Sequence, residues 1–477
     1  MASHPKSGGS TNSSPRWMDD ATAISATILP PRPILMVESR PHISGNASQP
    51  HNASQPQSPG DSGRLSAAAS GATLIPLTSI RFFAAMQLFA FHVHAISRMR
   101  AGGGVFEPFP KWFVTAIQQG WFATPLFFLI SGFILAYLYV SPVGELTTSR
   151  KQFWIARLTR IYPLHVFLLL VGCLVAIGFV IAQPSQAAAN GVLIFGGMAA
   201  NFLLVQAWIP PLALSGNFPT WALSTVVFFY AVFPWVVRVS TTWKPHHWTI
   251  ALVALPFISV APTLVFYSLG GHARFPDMSW QSELIMRFPP FWLPHFLLGV
   301  ALARRFEISR YTDHWRATSS SALPSWGDLA ATAALALLCN DLAPIRFLLR
   351  HGALAPLYLI VVYDLALGRG WLSRMLSPRW LKTLGETSFS IFMLQLPVIA
   401  AGMGLLWAID LPSRGLALLQ LPLLLSLGLL ASLASTYLFE KPVSRRLRAR
   451  FAADKQPDVD ASGESTAQSD RDIQTQH

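Results

Sequence analysis

Charge is what this chain has least of. Asp, Glu, Lys and Arg together make up 12% of its 477 residues, about half the share of a soluble domain, and repeated apolar runs near twenty residues replace them. That combination excludes a soluble globular fold and defines a polytopic helical membrane protein. Acidic residues are scarcer than basic ones, 22 against 35, leaving a formal net charge of +13. The basic residues mostly punctuate apolar runs, as the orientation rule for membrane helices produces, so the excess argues against a nucleic-acid partner. Only two cysteines occur, Cys173 and Cys339, both in apolar runs without metal spacing; they read as buried thiols, not a disulfide or zinc framework. No Walker loop, dinucleotide fingerprint or zinc signature is present, so neither a metal nor a nucleotide energy source is implied.

What is there divides into three parts. Residues 1–72 are rich in Ser, Pro, Asn and Gln, with a near repeat NASQPHNASQPQ. Such a stretch buries too little apolar surface to offset its ordering entropy and reads as a disordered tail. Sequons begin at Asn12, Asn46 and Asn52, which a cytoplasmic tail leaves unmodified. Residues 451–477 form a second polar tail. Between them, 73–450 carry eleven apolar segments, roughly 78–97, 121–141, 161–183, 191–208, 221–237, 248–269, 288–303, 327–343, 352–368, 386–408 and 415–438. Basic clusters at Arg150, Lys151, Arg157 and Arg160, at Arg369, Arg374, Arg379 and Lys382, and in RRLRAR should all face the cytoplasm. Eleven full crossings cannot satisfy this. Dropping 191–208 as a full span does, and the reading is all-α: about ten transmembrane helices, one re-entrant or interfacial segment, and both termini cytoplasmic. Re-entrant backbone at membrane depth must be buried in protein or line a cavity, so 191–220 is expected to shape a site from the outer side.

One spacing carries chemistry. Arg81 and His92 are eleven residues apart in SIRFFAAMQLFAFHVHAIS, almost three helical turns, so both project from one face. The rise of 1.5 Å per residue separates them by roughly 16 Å, which puts His92 near the bilayer midplane when Arg81 is at the surface. Ionisable groups at such depths line cavities more readily than they face lipid. His94, about 200° further round, faces elsewhere. Asp364, inside PLYLIVVYDLAL, is either an intramembrane functional carboxylate or a solvated one at the cytoplasmic end. Glu440 and Lys441 are expected to form a local ion pair.

Five landmarks follow in order: LTSIRFFAAMQLFAFH with Arg81 and His92; PLFFLISGFILAY with Ser131 and Gly132; RLTRIYPLH with Arg157 and Arg160; PTWALSTVVFFYAVFP with Trp221, Ser224 and Tyr230; and FEKPVSRRLR with Glu440 and Lys441. Together they resemble the acyltransferase-3 family of integral membrane O-acyltransferases over roughly residues 74–448. The resemblance implies acyl transfer, usually of acetyl from cytoplasmic acetyl-CoA or another acyl-CoA, to a hydroxyl of a carbohydrate or lipid-linked glycan at the bacterial inner membrane. It maps the family's arginine–histidine pair onto Arg81 and His92, and its arginine pair onto Arg157 and Arg160. Three positions depart from the pattern: Val226 and His295 stand where glutamate is common, and Gln395 where histidine is frequent.

An alcohol needs a base to attack a thioester. A neutral imidazole supplies one, worth typically 10²–10⁴-fold, and His92 is assigned that role, with an acyl-histidine relay as the lesser alternative. Arg81, Arg157 and Arg160 are assigned to the donor's phosphates, for which guanidinium is geometrically suited. Trp221, Ser224 and Tyr230 are assigned to substrate. The bland readings stand beside these: Arg157 and Arg160 as topology determinants, Ser131 and Gly132 as packing residues, Trp221 and Tyr230 as interfacial or packing ones. A transporter or flippase for a lipid-linked substrate, or a catalytically silent assembly partner, are the rival functions; no repeated pair of broken helices supports the former. Homo-oligomerisation is left open.

Overall fold

The computed structural model describes residues 59–101, 106, 108–275, 279–312, 324–340, 342, 345–408 and 413–453. Most of both expected tails and all three sequons therefore lie outside the described residues. Among those described the chain is helical throughout, with a single isolated bridge between Val140 and Leu146 in place of any strand.

Helix α1 (Pro59–Ala101) carries Arg81 and His92. It begins inside the stretch assigned to the tail, where the run RLSAAASGA supplies strong helix formers. Helices α2 (Ala123–Tyr139), α3 (Arg150–Ala182), α4 (Pro184–Phe202), α5 (Trp221–Val239), α6 (Pro245–Ser268) and α7 (Pro289–Thr312) follow. The chain then forms α8 (Trp326–Leu338), α9 (Ala355–Leu367), α10 (Gly370–Leu376), α11 (Ser388–Ala408), α12 (Ser413–Ala434) and α13 (Lys441–Ala453). Among the described residues eight helical stretches are long and apolar enough to cross a bilayer, and a ninth is formed when α9 and α10, bent by 63°, are taken together. The expected span at 327–343 has, among the described residues, only the 13-residue α8 as helix, about 20 Å at the usual rise and short of a ~30 Å hydrocarbon core. The start of α8 is held to the end of α9, Gly327 to Asp364, so the pair leaves and returns to one end of the bundle.

Burial sorts these helices. The most apolar window of the α2 span is 89% buried, against 22% for α3 and 17% for α6. Helix α2 is thus the centre of the bundle, and on α3 the outward Leu174, Val175 and Ile181 are more than two-thirds exposed, as a lipid-facing surface requires. The central contact is α2 against α7, and two glycines permit it. A Cβ on Gly132 would lie 2.0 Å from the Phe296 carbonyl oxygen, and one on Gly299 would lie 1.9 Å from that of Leu129. The backbones touch because neither residue has a side chain, so Gly132 has the packing role.

Helix α4 runs back along α3 and stops at mid-height. There the His165 ring nitrogen Nε2 is 2.8 Å from the Asn201 carbonyl oxygen, fifteen residues into α3 or about 22 Å along it. Three short 3-10 turns (Gln206–Trp208, Pro210–Leu212 and Phe218–Thr220) then lead into α5. Asn201 holds this segment: its side chain donates to Ser215 (2.9 Å to the carbonyl oxygen) and accepts from Thr220 Oγ1 (2.8 Å). Segment 191–208 does not form a full-length crossing helix, and the irregular backbone after it is anchored by buried Gln206, Ala207, Ala213 and Thr220, while Leu203, Trp208 and Ile209 are exposed.

Two carboxylates clamp α8 to the broken pair α9–α10. Asp364 accepts from the Gly327 amide at 2.6 Å, and Asp328 accepts from the amides of Trp371 (3.0 Å) and Leu372 (2.9 Å). Asp364 is buried with the Gly327 amide as its partner, so of the two readings above the solvated one does not describe it.

Candidate functional site

Arg81 and His92 both turn inward, 2% and 1% exposed, so α1 presents one polar face to protein. That face meets α11. Arg81 Nη2 donates to Ser388 Oγ at 3.0 Å, and His92 Nδ1 lies 2.8 Å from Gln395 Oε1. The eleven-residue interval on α1 is matched by a seven-residue interval on α11, two turns that keep Ser388 and Gln395 on one face. The residual ~6 Å along the axes is bridged by the long arginine side chain. Gln395, a departure from the family pattern in sequence, is thus the partner of the candidate base.

The rest of the His92 pocket is aromatic. Phe91 and Phe218 meet its ring edge to face at centroid distances of 5.3 and 5.9 Å. Phe218 belongs to the 3-10 turn before α5, and a proline explains how that turn is tied to α11. Pro397 has no N–H to offer the Met393 carbonyl four residues back, and Asn217 Nδ2 donates to that carbonyl instead, at 2.9 Å. His94 faces away, as the helical geometry requires; its Nε2 lies 3.0 Å from Gln118 Nε2 and its ring packs on Phe106.

At the other end of α1 is a cluster of buried arginines. Arg157 is fully buried, donates to the Tyr139 hydroxyl and stacks its guanidinium 4.8 Å from that ring's centroid. Its Nε and Nη1 have no hydrogen-bond partner among the described residues. Arg160 forms an ion pair with Glu440 at 3.3 Å, lacking hydrogen-bond geometry, and donates to the Glu386 carbonyl oxygen at 3.5 Å. Arg448 joins from α13, donating to Thr159 Oγ1 and the Ala156 carbonyl oxygen, each at 3.3 Å. Arg81 and Arg160 lie within electrostatic reach of each other, of Glu386 and of Tyr230. Arg160 thus faces Glu440 and Glu386 and Arg81 faces Glu386, with Arg157 and Arg448 beside Arg160, and Lys441 also holds Glu386, at 2.6 Å. The expected Glu440–Lys441 ion pair is corrected: Glu440 turns inward to Arg160, Ser390 and Ser435, and Lys441 pairs with Glu386. Adjacent helical side chains diverge by about 100°, so neighbours in sequence have different partners.

The three residues assigned to substrate do not form one group. Trp221 and Ser224 are buried at the start of α5, where Trp221 packs against Trp292 (5.8 Å between centroids) and Phe128. Trp221 Nε1 and Ser224 Oγ have no hydrogen-bond partner among the described residues, and buried polar atoms of that kind call for water or ligand. Tyr230 lies about two and a half turns on from Trp221, beside the arginines, with its carbonyl accepting from Trp154 Nε1 at 2.9 Å. Val226 is fully buried in the core, and His295 lies against Ser259 at 3.1 Å and against Trp292. Among the described residues no group of three or more His, Cys, Asp or Glu is placed to hold a metal.

A buried imidazole with a hydrogen-bonded partner, on the same helix face as an arginine cluster, is an arrangement for moving a proton near a bound anion. Residues 77–441 match the profile of the acyltransferase-3 family, described as an acyltransferase domain, and the chain belongs to that family: it is an integral membrane acyltransferase. The chain is similar to acyltransferase MdmB of Streptomyces mycarofaciens, 28% identical over 339 residues that cover 68% of this chain and 79% of that protein. No solved structure matches it.

Proposed function

We propose that this acyltransferase works in a bacterial inner membrane, with both termini cytoplasmic, and moves an acetyl group from cytoplasmic acetyl-CoA to a hydroxyl of a surface-bound carbohydrate or lipid-linked glycan. The observation that carries the reading is the shared buried face of α1: His92 at one level, Arg81 within a net-positive arginine cluster at the other. The basic residues at that second end support a cytoplasmic position for it under the orientation rule.

In this reading Arg81, Arg157, Arg160 and Arg448 attract the phosphates of the coenzyme, with Tyr230 beside them. The ~16 Å from Arg81 to His92 along the helix suits an extended pantetheine arm. His92 takes the proton of the acceptor hydroxyl as its oxygen attacks the thioester carbonyl. The carbon–sulfur bond then breaks, and the imidazolium returns its proton to the departing thiolate. The buried Trp221 Nε1 and Ser224 Oγ, without hydrogen-bond partners among the described residues, supply donor and acceptor capacity for a polyhydroxylated ligand, and Phe218 connects that side to His92.

The test is transfer from acetyl-CoA labelled in the acetyl group, using membranes with and without the protein. Label should appear in a glycan or glycolipid fraction and be released as acetate by mild alkali, as an ester requires. Equal labelling of both membranes would contradict the proposal.

A further inference from the structure

We infer that Gln395 is a positioning residue that fixes His92 in the Nδ1–H tautomer and so makes Nε2 the basic atom. The inference rests on the reading of His92 as the base and adds which nitrogen acts and what selects it.

Two hydrogen bonds determine the orientation of the Gln395 amide. Its Nε2 donates to the Phe392 carbonyl oxygen at 2.9 Å, and its Oε1 lies 2.8 Å from His92 Nδ1. A carbonyl oxygen only accepts. Reversing the amide would set Oε1 2.9 Å from another acceptor and forfeit the Phe392 bond, so the oxygen is the atom that faces the histidine. An oxygen without a proton must receive one, and therefore Nδ1 carries the hydrogen. A neutral imidazole has one N–H and one lone pair; the lone pair is then on Nε2.

The surroundings hold this arrangement in place. Gln395 is fully buried and His92 is 1% exposed, so water does not compete freely for either group. Phe91 and Phe218 close on the ring edge to face, which limits ring rotation. The helix carrying Gln395 is itself tied by Ser388 to Arg81 and by Met393 to Asn217. The proton path follows: the acceptor hydroxyl gives its proton to Nε2, the Nδ1–H bond to Gln395 persists through the imidazolium, and the Nε2 proton passes to the thiolate that leaves. Gln395 exchanges no proton at any stage.

The experiment is nitrogen NMR of the full chain in lipid nanodiscs, labelled with ¹⁵N at histidine, with His92 signals identified by difference against His92→Asn. The expected spectrum shows His92 protonated at Nδ1 and bare at Nε2. A proton on Nε2 in the intact protein, in the other tautomer or in the imidazolium, would overturn the inference without recourse to any variant's folding. Gln395→Leu is then expected to mix the two tautomers and to lower acetyl transfer by at least about tenfold, up to the ~10²–10⁴-fold worth of the base itself. An unchanged tautomer and an unchanged rate in Gln395→Leu would equally overturn it. Absence of acetyl transfer by the intact protein would count against the proposed reaction and leave the tautomer measurement standing on its own.

Discussion

Replacing Glu440 by Gln should destabilise the bundle far more than replacing Glu440 and Arg160 together. Glu440 is 1% exposed, pairs with Arg160 at 3.3 Å, and accepts from Ser390 and from Ser435 at 3.0 Å. Arg160 is 4% exposed, and its other bond is the long one to the Glu386 carbonyl. Removing one member of a buried pair strands the other charge, a loss of about 3–5 kcal/mol. The serine bonds are hydrogen bonds to a charged acceptor, about 1.5–3 kcal/mol each in isolation, but an amide oxygen retains part of them, so the total should stay near the pair value. The double variant Arg160→Met, Glu440→Met buries no stranded charge and should recover most of the loss, since apolar replacement of a buried pair is often close to neutral. Unfolding in mixed micelles with rising SDS, followed by tryptophan fluorescence, measures Glu440→Gln, Arg160→Met and the double variant. A loss below about 1 kcal/mol for Glu440→Gln, or a double variant less stable than either single one, would refute the pairing argument.

Other consequences are equally specific. Gly132→Val should prevent α2 from meeting α7, since even a Cβ would lie 2.0 Å from the Phe296 oxygen; size-exclusion chromatography after mild solubilisation should show loss of the monodisperse folded form. Asp328→Ala leaves the Trp371 and Leu372 amides without their acceptor and should cost about 1–3 kcal/mol in the same unfolding assay while acetyl transfer at low temperature persists. Arg157→Gln should weaken acetyl-CoA binding by about ten- to a hundredfold, the worth of one charged hydrogen bond, in titration calorimetry with the coenzyme. His94→Ala, on the opposite side of α1 from His92, should transfer acetyl at close to the parental rate.

What could be read from the chain before its structure was whatever depends on local period. The apolar runs placed most of the helices, and the eleven-residue interval put Arg81 and His92 on one face, because helical geometry alone decides both. The basic clusters excluded 191–208 as a full span by charge balance. What could not be read depends on contacts between distant segments. Gln395 meets His92 across 303 positions, and an apolar run with one amide in it does not announce that meeting. The signal was present all the same: a polar side chain in FSIFMLQLP must be satisfied somewhere. Glu440 and Lys441 could be paired with each other only by ignoring the angle between adjacent helical residues. Tyr230 separates from Trp221 and Ser224 because nine and six positions along α5 amount to ~13 and ~9 Å of rise, more than one ligand contact spans. Asp364 shows the converse case, an intramembrane carboxylate whose partner is a backbone amide 37 residues away.

The most direct measurement is the initial rate of acetyl transfer from labelled acetyl-CoA by membranes carrying the intact protein or His92→Ala, at matched expression and with acetyl-CoA saturating. The account predicts a drop of ~10²–10⁴-fold with coenzyme binding retained, because the arginine cluster is untouched. Equal rates in the two preparations would remove His92 from the chemistry and contradict the account at its centre.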